Sequence, residues 1–588
     1  MSAIMSMGRT LHAILVLLFR IARRGVVCTI LAKIVNSLYP AFFTEVFIRL
    51  IEVITEGGNT AELGLLAGTV VMLILADALL QAVNQIALNG WLFETSNLHL
   101  RGVLTTKIAQ LSPICLEDSA MLDEIQLMKD VIEDETIPLT LYELLETGGA
   151  CLTFVSLAFV LFRFHPALVG LLLITMIPVL LSRFLRGRDM FRLRRRQIPE
   201  TRRLSLWRSW FTNDRENREL RATNAQGYVL DLWSAIDKKH RNEVEMLEKK
   251  DTHILAVCEI LRVAALVVAI GFSVLWVTGE VISLGVLGGA ILAFSQSQSA
   301  ATEFFRHMGS LPRLLSEDEK VLEFLAMEKE QTGQMSIETI ESMCFRDVSF
   351  TYPHTLQPSL RHVDFVIKAG ECVALVGLNG SGKTTLTKVL LGIYSPSEGD
   401  VMANDTSLLD IHKQSLYGRV GHVPQVIPRI EGISLREYMC LGHSLSDEIL
   451  SSCLAKVGLA SLAESLDKML GKEFSGLELS TGMLQRLAIA KCLLHESDLY
   501  VLDEPTSAID PLEEGNILRL FLDMATNKAC LIVTHRLSIC PYVDSILVID
   551  EGQIIESGTH ETLMRSGGVY ADMYAQQRAQ LLPVVSEE

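Results

Sequence analysis

The sequence predicts a multidomain chain: a six-helix, all-α transmembrane domain followed by an α/β P-loop domain. Three observations predict it. Long apolar runs crowd the stretch before about residue 310; they make 49% of the 588 residues hydrophobic and set a mean hydropathy of +0.33. From about residue 340 the composition turns to that of a soluble domain with short apolar strands. One such strand, Cys372 to Val376, runs directly into a glycine-rich loop that ends in Gly382, Lys383 and Thr384. A chain this long also exceeds what one hydrophobic core usually supports.

A membrane-crossing helix needs roughly 20 mostly apolar residues. Six stretches qualify, at about 26–54, 62–92, 138–163, 166–186, 253–277 and 283–305. An amphipathic helix near 10–22 suits the membrane surface ahead of them. The links after the first and fifth spans hold no Lys or Arg, whereas Arg183, Arg186, Arg188, Arg192, Arg194, Arg195 and Arg196 follow the fourth. With Arg9, Arg20, Arg23 and Arg24 near the start, this asymmetry places both termini in the cytosol. These apolar segments are expected to be retained, with no cleaved signal peptide. The expected divisions are a transmembrane domain at 1–325, a linker at 326–339 and the soluble domain at 340–588.

Stretches 93–137 and 187–252 are long, polar and helix-compatible. They read as helices that run well past the membrane, each pair closed by a short turn. Segments 112–118 and 213–220 are the candidates for contact with a cytosolic motor. Lys33, Asp77, Gln81, Asn84, Glu259 and Arg262 lie inside the spans, where ionisable groups are costly and either mark a pathway or pair. Glu259 and Arg262 are spaced to pair on one helical face. The polar run Ser295 to Ser299 serves either a cavity wall or helix–helix hydrogen bonding.

The net charge of −17 argues against nucleic acid as a partner, because such proteins present a basic face. Eleven cysteines occur without a CxxC pair or a metal-like spacing, which fits reduced structural thiols.

The soluble domain carries the chemistry. Gly377, Leu378, Asn379, Gly380, Ser381, Gly382, Lys383 and Thr384 form the G-x-x-x-x-G-K-[ST] phosphate loop, with Thr385 opening a helix. Glycines let backbone N–H groups crowd a phosphate, and the helix N-terminus favours negative charge. Lys383 neutralises the β- and γ-phosphates, and the Thr384 hydroxyl reaches Mg²⁺. A second apolar strand, 499–502, ends in Asp503 and Glu504. Asp503 is placed to hold the metal and Glu504 to polarise the attacking water. A third strand, 530–534, ends in His535, within reach of a γ-phosphate.

Together these residues resemble the ATP-binding cassette superfamily, and the domain order is that of its half-size exporters. The resemblance implies ATP and Mg²⁺ as cofactors and ATP hydrolysis coupled to transport. It assigns adenine stacking to Tyr352, sensing of Mg²⁺ and of the membrane domain to Gln425, and signalling across a cassette dimer to Asp510. It also implies that Leu479, Ser480, Thr481, Gly482 and Met483 act on the ATP held by a partner cassette. There the sequence departs from the family consensus Leu-Ser-Gly-Gly-Gln. Thr481 adds a branched side chain and Met483 removes an amide, so closure on ATP is expected to weaken rather than disappear.

A chain with complete acids and an altered signature favours a heterodimer with a second half-transporter over a homodimer. The cassette style around 470–474 and 510–514, and the 207–220 region, are similar to bacterial lantibiotic and peptide exporters. The expected function is export of a peptide or amphiphilic small molecule across a cytoplasmic membrane, with lipid as the surrounding partner. A lipid or siderophore cargo, or a regulatory half that binds ATP and hydrolyses it weakly, stays open.

Overall fold

The computed structural model describes residues 2–581, except 58, 171, 175–192, 194, 195, 198, 199, 202, 331, 508 and 510. Most of the expected fourth span, and the arginines from Arg183 to Arg195, lie outside the described residues, as does Asp510. The chain divides into two compact units. One comprises 1–109 and 124–327; the other comprises 110–123 and 328–588.

The first unit is helical. Its elements are α1 (Ser2–Ile21), α2 (Arg23–Thr55), α3 (Thr60–Ile86), α4 (Thr95–Ala109), α5 (Ser119–Glu133, of which the first turn falls in the second unit), α6 (Thr136–Phe164), α7 (Asp214–Ala222), α8 (Gln226–Thr278) and α9 (Leu284–Ala326). A π-helical stretch, Ala87–Glu94, carries α3 into α4 without a break. Among the described residues, four helical stretches are long and apolar enough to cross a membrane: Arg23–Thr55, Thr60–Ala109, Thr136–Phe164 and Gln226–Thr278. The expected sixth span forms the first half of α9, where Ser295 to Ser299 dilute its apolar character.

Local chemistry sets the helix starts. The Asn59 side chain accepts from the Ala61 N–H at 3.1 Å to open α3, and Ser283 does the same for α9 through the Val286 N–H. Gly289 lets α9 approach α2 closely, since a Cβ there would sit 2.1 Å from Ile48. Leu157, Leu161, Ala293 and Phe294 fill the space between α6 and α9.

Most of the polar residues singled out in the spans find partners, whereas the Asn84 amide oxygen is buried without one. Glu259 and Arg262 pair at 2.7 Å, and Lys33 reaches Glu146 at 2.5 Å. Gln81 donates to Asp77 at 2.8 Å. Gln298, fully buried, donates to the Arg262 carbonyl on α8 at 3.5 Å, so part of the polar run in α9 serves helix–helix hydrogen bonding. Below that level, burial pushes the Asp318 carboxyl on α9 up to about 6 while Thr140 donates to it.

The second unit is a layered α/β domain. Its strands are β1 (Ser342–Phe350), β2 (Leu360–Lys368), β3 (Cys372–Val376), β4 (Glu398–Ala403), β5 (Thr406–Ser407), β6 (Val420–Val423), β7 (Leu499–Asp503), β8 (Ala529–Val533), β9 (Ser545–Asp550) and β10 (Gln553–Gly558). An antiparallel sheet has the order β2-β1-β4-β5. A larger sheet has the order β10-β9-β3-β8-β7-β6, parallel through β3, β8, β7 and β6. Strands β3, β7 and β8 are buried at every position, which explains their unbroken apolar sequences. Cys372, Ala374 and Val376 enter one core and Val373 and Leu375 the other. Six of the seven cysteines from Cys344 onward are buried and none forms a disulfide.

Segment 110–123 belongs to this unit although its neighbours in sequence do not. It turns through Pro113–Glu117, sets Ile114 against the cassette core, and places Glu117 3.0 Å from Lys388 and on the Tyr394 hydroxyl. Asp118 lies 3.1 Å from His354. Hydrogen bonds from Tyr394 and then Lys388 hold the Glu117 carboxyl below its usual range. The second candidate contact segment, 213–220, falls in the first unit.

Candidate nucleotide site

The parallel register brings the ends of β3, β7 and β8 side by side, so the loops that follow them converge. Residues 377–382 wrap the N-terminus of a short helix, α10 (Lys383–Leu390). The wrap needs left-handed backbone at Gly380 (φ 82°) and Gly382 (φ 108°), which glycine adopts without a Cβ clash. A Cβ on Gly377 would lie 2.2 Å from the Ile549 carbonyl, so that position is closed to side chains.

Lys383 is 7% exposed and its ammonium donates to the Gly377 and Leu378 carbonyls, both at 2.8 Å. Burial pushes its pKa down, opposed by Glu504 and Asp503. The Ser381 hydroxyl is buried without a hydrogen-bond partner in the middle of the loop. An orphaned hydroxyl there fits a bound phosphate oxygen.

Asp503, 3% exposed, ends β7; burial, and then the neighbouring Glu504, push its carboxyl up to about 6. Glu504 itself adopts φ 49° and turns its carboxylate to within 3.2 Å of His535 Nδ1. An open groove of about 1390 Å³ gathers Gly377, Leu378, Asn379, Gly380, Gly382, Lys383, Thr384, Thr385, Gln425, Glu504 and His535 on one wall system. Thr384, Gln425 and Asp503 offer hydroxyl, amide and carboxylate oxygens, a donor chemistry that suits Mg²⁺ completed by phosphate and water.

Some expected residues stand elsewhere. Tyr352 does not line the groove: its ring packs on Phe350 and Tyr394, at 5.0 and 5.9 Å, and its hydroxyl lies 3.2 Å from Thr385 Oγ1. The segment Leu479 to Met483 also stays out of this chain's groove. It opens helix α11 (Thr481–Leu494), where Ser480 Oγ accepts from the Met483 N–H at 3.2 Å. Thr481 is exposed, whereas Met483 packs against the core.

Other groove residues carry no local sequence signal. Arg361, Glu551 and Gln577 line the wall, and Gln577 donates to the His535 carbonyl at 2.8 Å from a helix near the C-terminus. Arg536 and Thr506 are joined through Glu514, at 2.6 and 3.1 Å. Gln485 donates to the Glu504 carbonyl, and only its place two residues beyond the signature hinted at it.

A phosphate loop, an acid pair and a histidine on a parallel sheet, joined in one chain to long apolar helices, define a membrane-fused ATP-binding cassette protein. The comparisons agree for the second unit: residues 360–507 match the ABC transporter family. Its fold is that of an exporter, since it superposes with a TM-score of 0.79 on the structure of a bacterial Atm1-family ABC exporter with ATP bound, at 20% identity over 97% of this chain and 99% of that one.

Among proteins of similar sequence, the subtilin transport ATP-binding protein SpaT of Bacillus subtilis is 29% identical over 71% of this chain and 70% of its own length. The glutathione/L-cysteine transport system ATP-binding/permease protein CydC of Escherichia coli (strain K12) is 35% identical over 47% of this chain. An ATP-dependent lipid A-core flippase of Shewanella denitrificans is 35% identical over 48%. The matches span about half the length of CydC and of the flippase, at 49% and 46%.

Proposed function

We propose that the protein hydrolyses ATP to drive export of a peptide or amphiphilic small molecule across the cytoplasmic membrane, with the cassette and both termini in the cytosol. The observation that carries this reading is the convergence of Lys383, Gln425, Glu504 and His535 on one groove. Lys383 and the loop N–H groups would hold the β- and γ-phosphates. Glu504 would take up the proton of the attacking water, and His535 would steady the charge that develops on the γ-phosphate. Thr384, Gln425 and Asp503 would hold Mg²⁺, which neutralises phosphate charge when bound. Tyr352 would face the adenine after a small turn of its ring, and Asp510 would signal to a partner.

We further read the working unit as a dimer, and a heterodimer before a homodimer. Leu479 to Met483 open a helix whose N-terminus is capped by Ser480 and lies away from this chain's own groove, as a segment serving another cassette would. Thr481 and Met483 make that service weaker. The proposed domain limits are 1–325 and 340–588, joined by 326–339. The similarity to SpaT favours a peptide cargo. A lipid cargo is the second reading, favoured by the similarity to lipid A-core flippases.

The test is vanadate-sensitive ATPase activity of the purified chain in lipid nanodiscs, alone and with a panel of peptides, lipids and drugs. Stimulation by one panel class supports the matching cargo. Nucleotide binding without hydrolysis, in the chain alone and with every candidate partner half, would overturn the reading.

A further inference from the structure

Glu504 is held in an unusual backbone state. Its φ of 49° lies in the left-handed region, which a residue bearing a Cβ keeps only where its surroundings over-determine it. Its N–H donates to the Val533 carbonyl at 2.8 Å. Its own carbonyl accepts from the Ser507 N–H at 3.2 Å and from the Gln485 side chain at 2.9 Å. Gln485 is 2% exposed, and the same Nε2 lies 3.1 Å from Ser507 Oγ. One buried amide thus clamps both ends of the turn 504–507.

We propose that Gln485 is a positioning residue for ATP hydrolysis: its amide N–H, by holding the Glu504 carbonyl, keeps the Glu504 carboxylate turned toward His535 and the groove. The inference rests on the reading that Glu504 activates water. Gln485 itself touches no reacting atom. Its position is set by α11, the helix that the signature opens, so the segment expected to serve a partner's nucleotide and the amide that holds this chain's own acid lie on one helix.

The chemistry of the contact supplies a test that a packing role would not pass. An amide donates at every pH. A carboxylic acid of the same size donates only when protonated, and when ionised it sets a negative oxygen against the Glu504 carbonyl. Gln485→Leu removes the donor altogether. The measurement is kcat and KM for ATP against pH in nanodiscs, each variant divided by wild type at the same pH so that titrations common to both cancel.

Gln485→Leu is expected to lower kcat about 30-fold at all pH values, with KM within about twofold. Gln485→Glu is expected to match it at pH 8 and to recover about tenfold toward pH 6. Nucleotide affinity and thermal melting show whether each variant is folded; Gln485→His, which keeps an N–H, supplies the kcat comparison should Gln485→Leu not fold. A Gln485→Glu profile parallel to wild type, or a change confined to KM, overturns the proposal. Glu504→Gln separates this failure from that of the parent reading: if it turns over normally the parent reading fails, whereas if it stops while Gln485→Leu runs at the wild-type kcat, only the role of Gln485 fails.

Discussion

His535 Nδ1 lies 3.2 Å from the Glu504 carboxylate, with the acid mostly shielded and the imidazole about half exposed (12% and 47%). The pair therefore faces the groove as one unit: a shielded acid held against a ring that water and substrate can reach.

If the pair works as a unit, its effects will not add. Glu504→Gln is expected to lower turnover about 1000-fold while ATP still binds. His535→Ala alone is expected to cost about 100-fold, but little more on the Glu504→Gln background. ATPase rates and nucleotide affinities of the four proteins check this, and full additivity in the cycle would separate the two residues.

Asp503 gives a pH prediction with a definite sign. Burial raises its pKa from an ordinary 3.8 to about 6 in the fold, so the folded state binds the proton more tightly than the unfolded chain. Its contribution to stability is fully present below about pH 3.8 and is lost as pH rises to about 6. Above that, the buried charge costs on the order of 3 kcal/mol in the nucleotide-free protein. Asp503→Asn is expected to raise the melting temperature of the cassette transition at pH 7.5, to lose that advantage below pH 4, and to lose hydrolysis at every pH. Subtracting wild type removes the parallel titration of Asp318. A melting difference that does not vary with pH would contradict the assignment.

The altered signature yields the third prediction. Thr481→Gly with Met483→Gln is expected to raise the ATPase rate of the chain alone several-fold. Met483 packs at the edge of the core, so the exchange removes modest apolar contact. A wild-type chain that already hydrolyses ATP robustly as a dimer of itself, with no gain in the double variant, would overturn the heterodimer reading.

What the sequence makes legible is the chemistry that is local in the chain. The loop from Gly377 to Thr384 is readable because one turn of backbone needs those residues in that order, and the acids and histidine follow because each ends an apolar strand. Tyr352 was less readable: a motif names the aromatic but not its rotamer, which packing against Tyr394 decides. Gln485 was opaque, because its contact depends on how α11 lies across the end of β7, a register that no short pattern encodes. The polar run in the last helix of the membrane unit shows the same limit, since Ser295 to Ser299 point to a cavity or to a neighbour equally until α8 is seen to receive Gln298.

The location of Glu117 bears on inheritance. The cassette is not one uninterrupted stretch of sequence, because it includes a short piece encoded more than two hundred residues upstream, locked by Lys388 and Tyr394. This chain's 328–588 segment grafted onto a relative would arrive without its matching piece, leaving Lys388 without that carboxylate partner and the patch under Ile114 uncovered. Recombination that swaps motors between transporters must therefore transfer both segments together or repair the mismatch afterwards, and the pair 114–118 and 388–394 is where such repairs would accumulate.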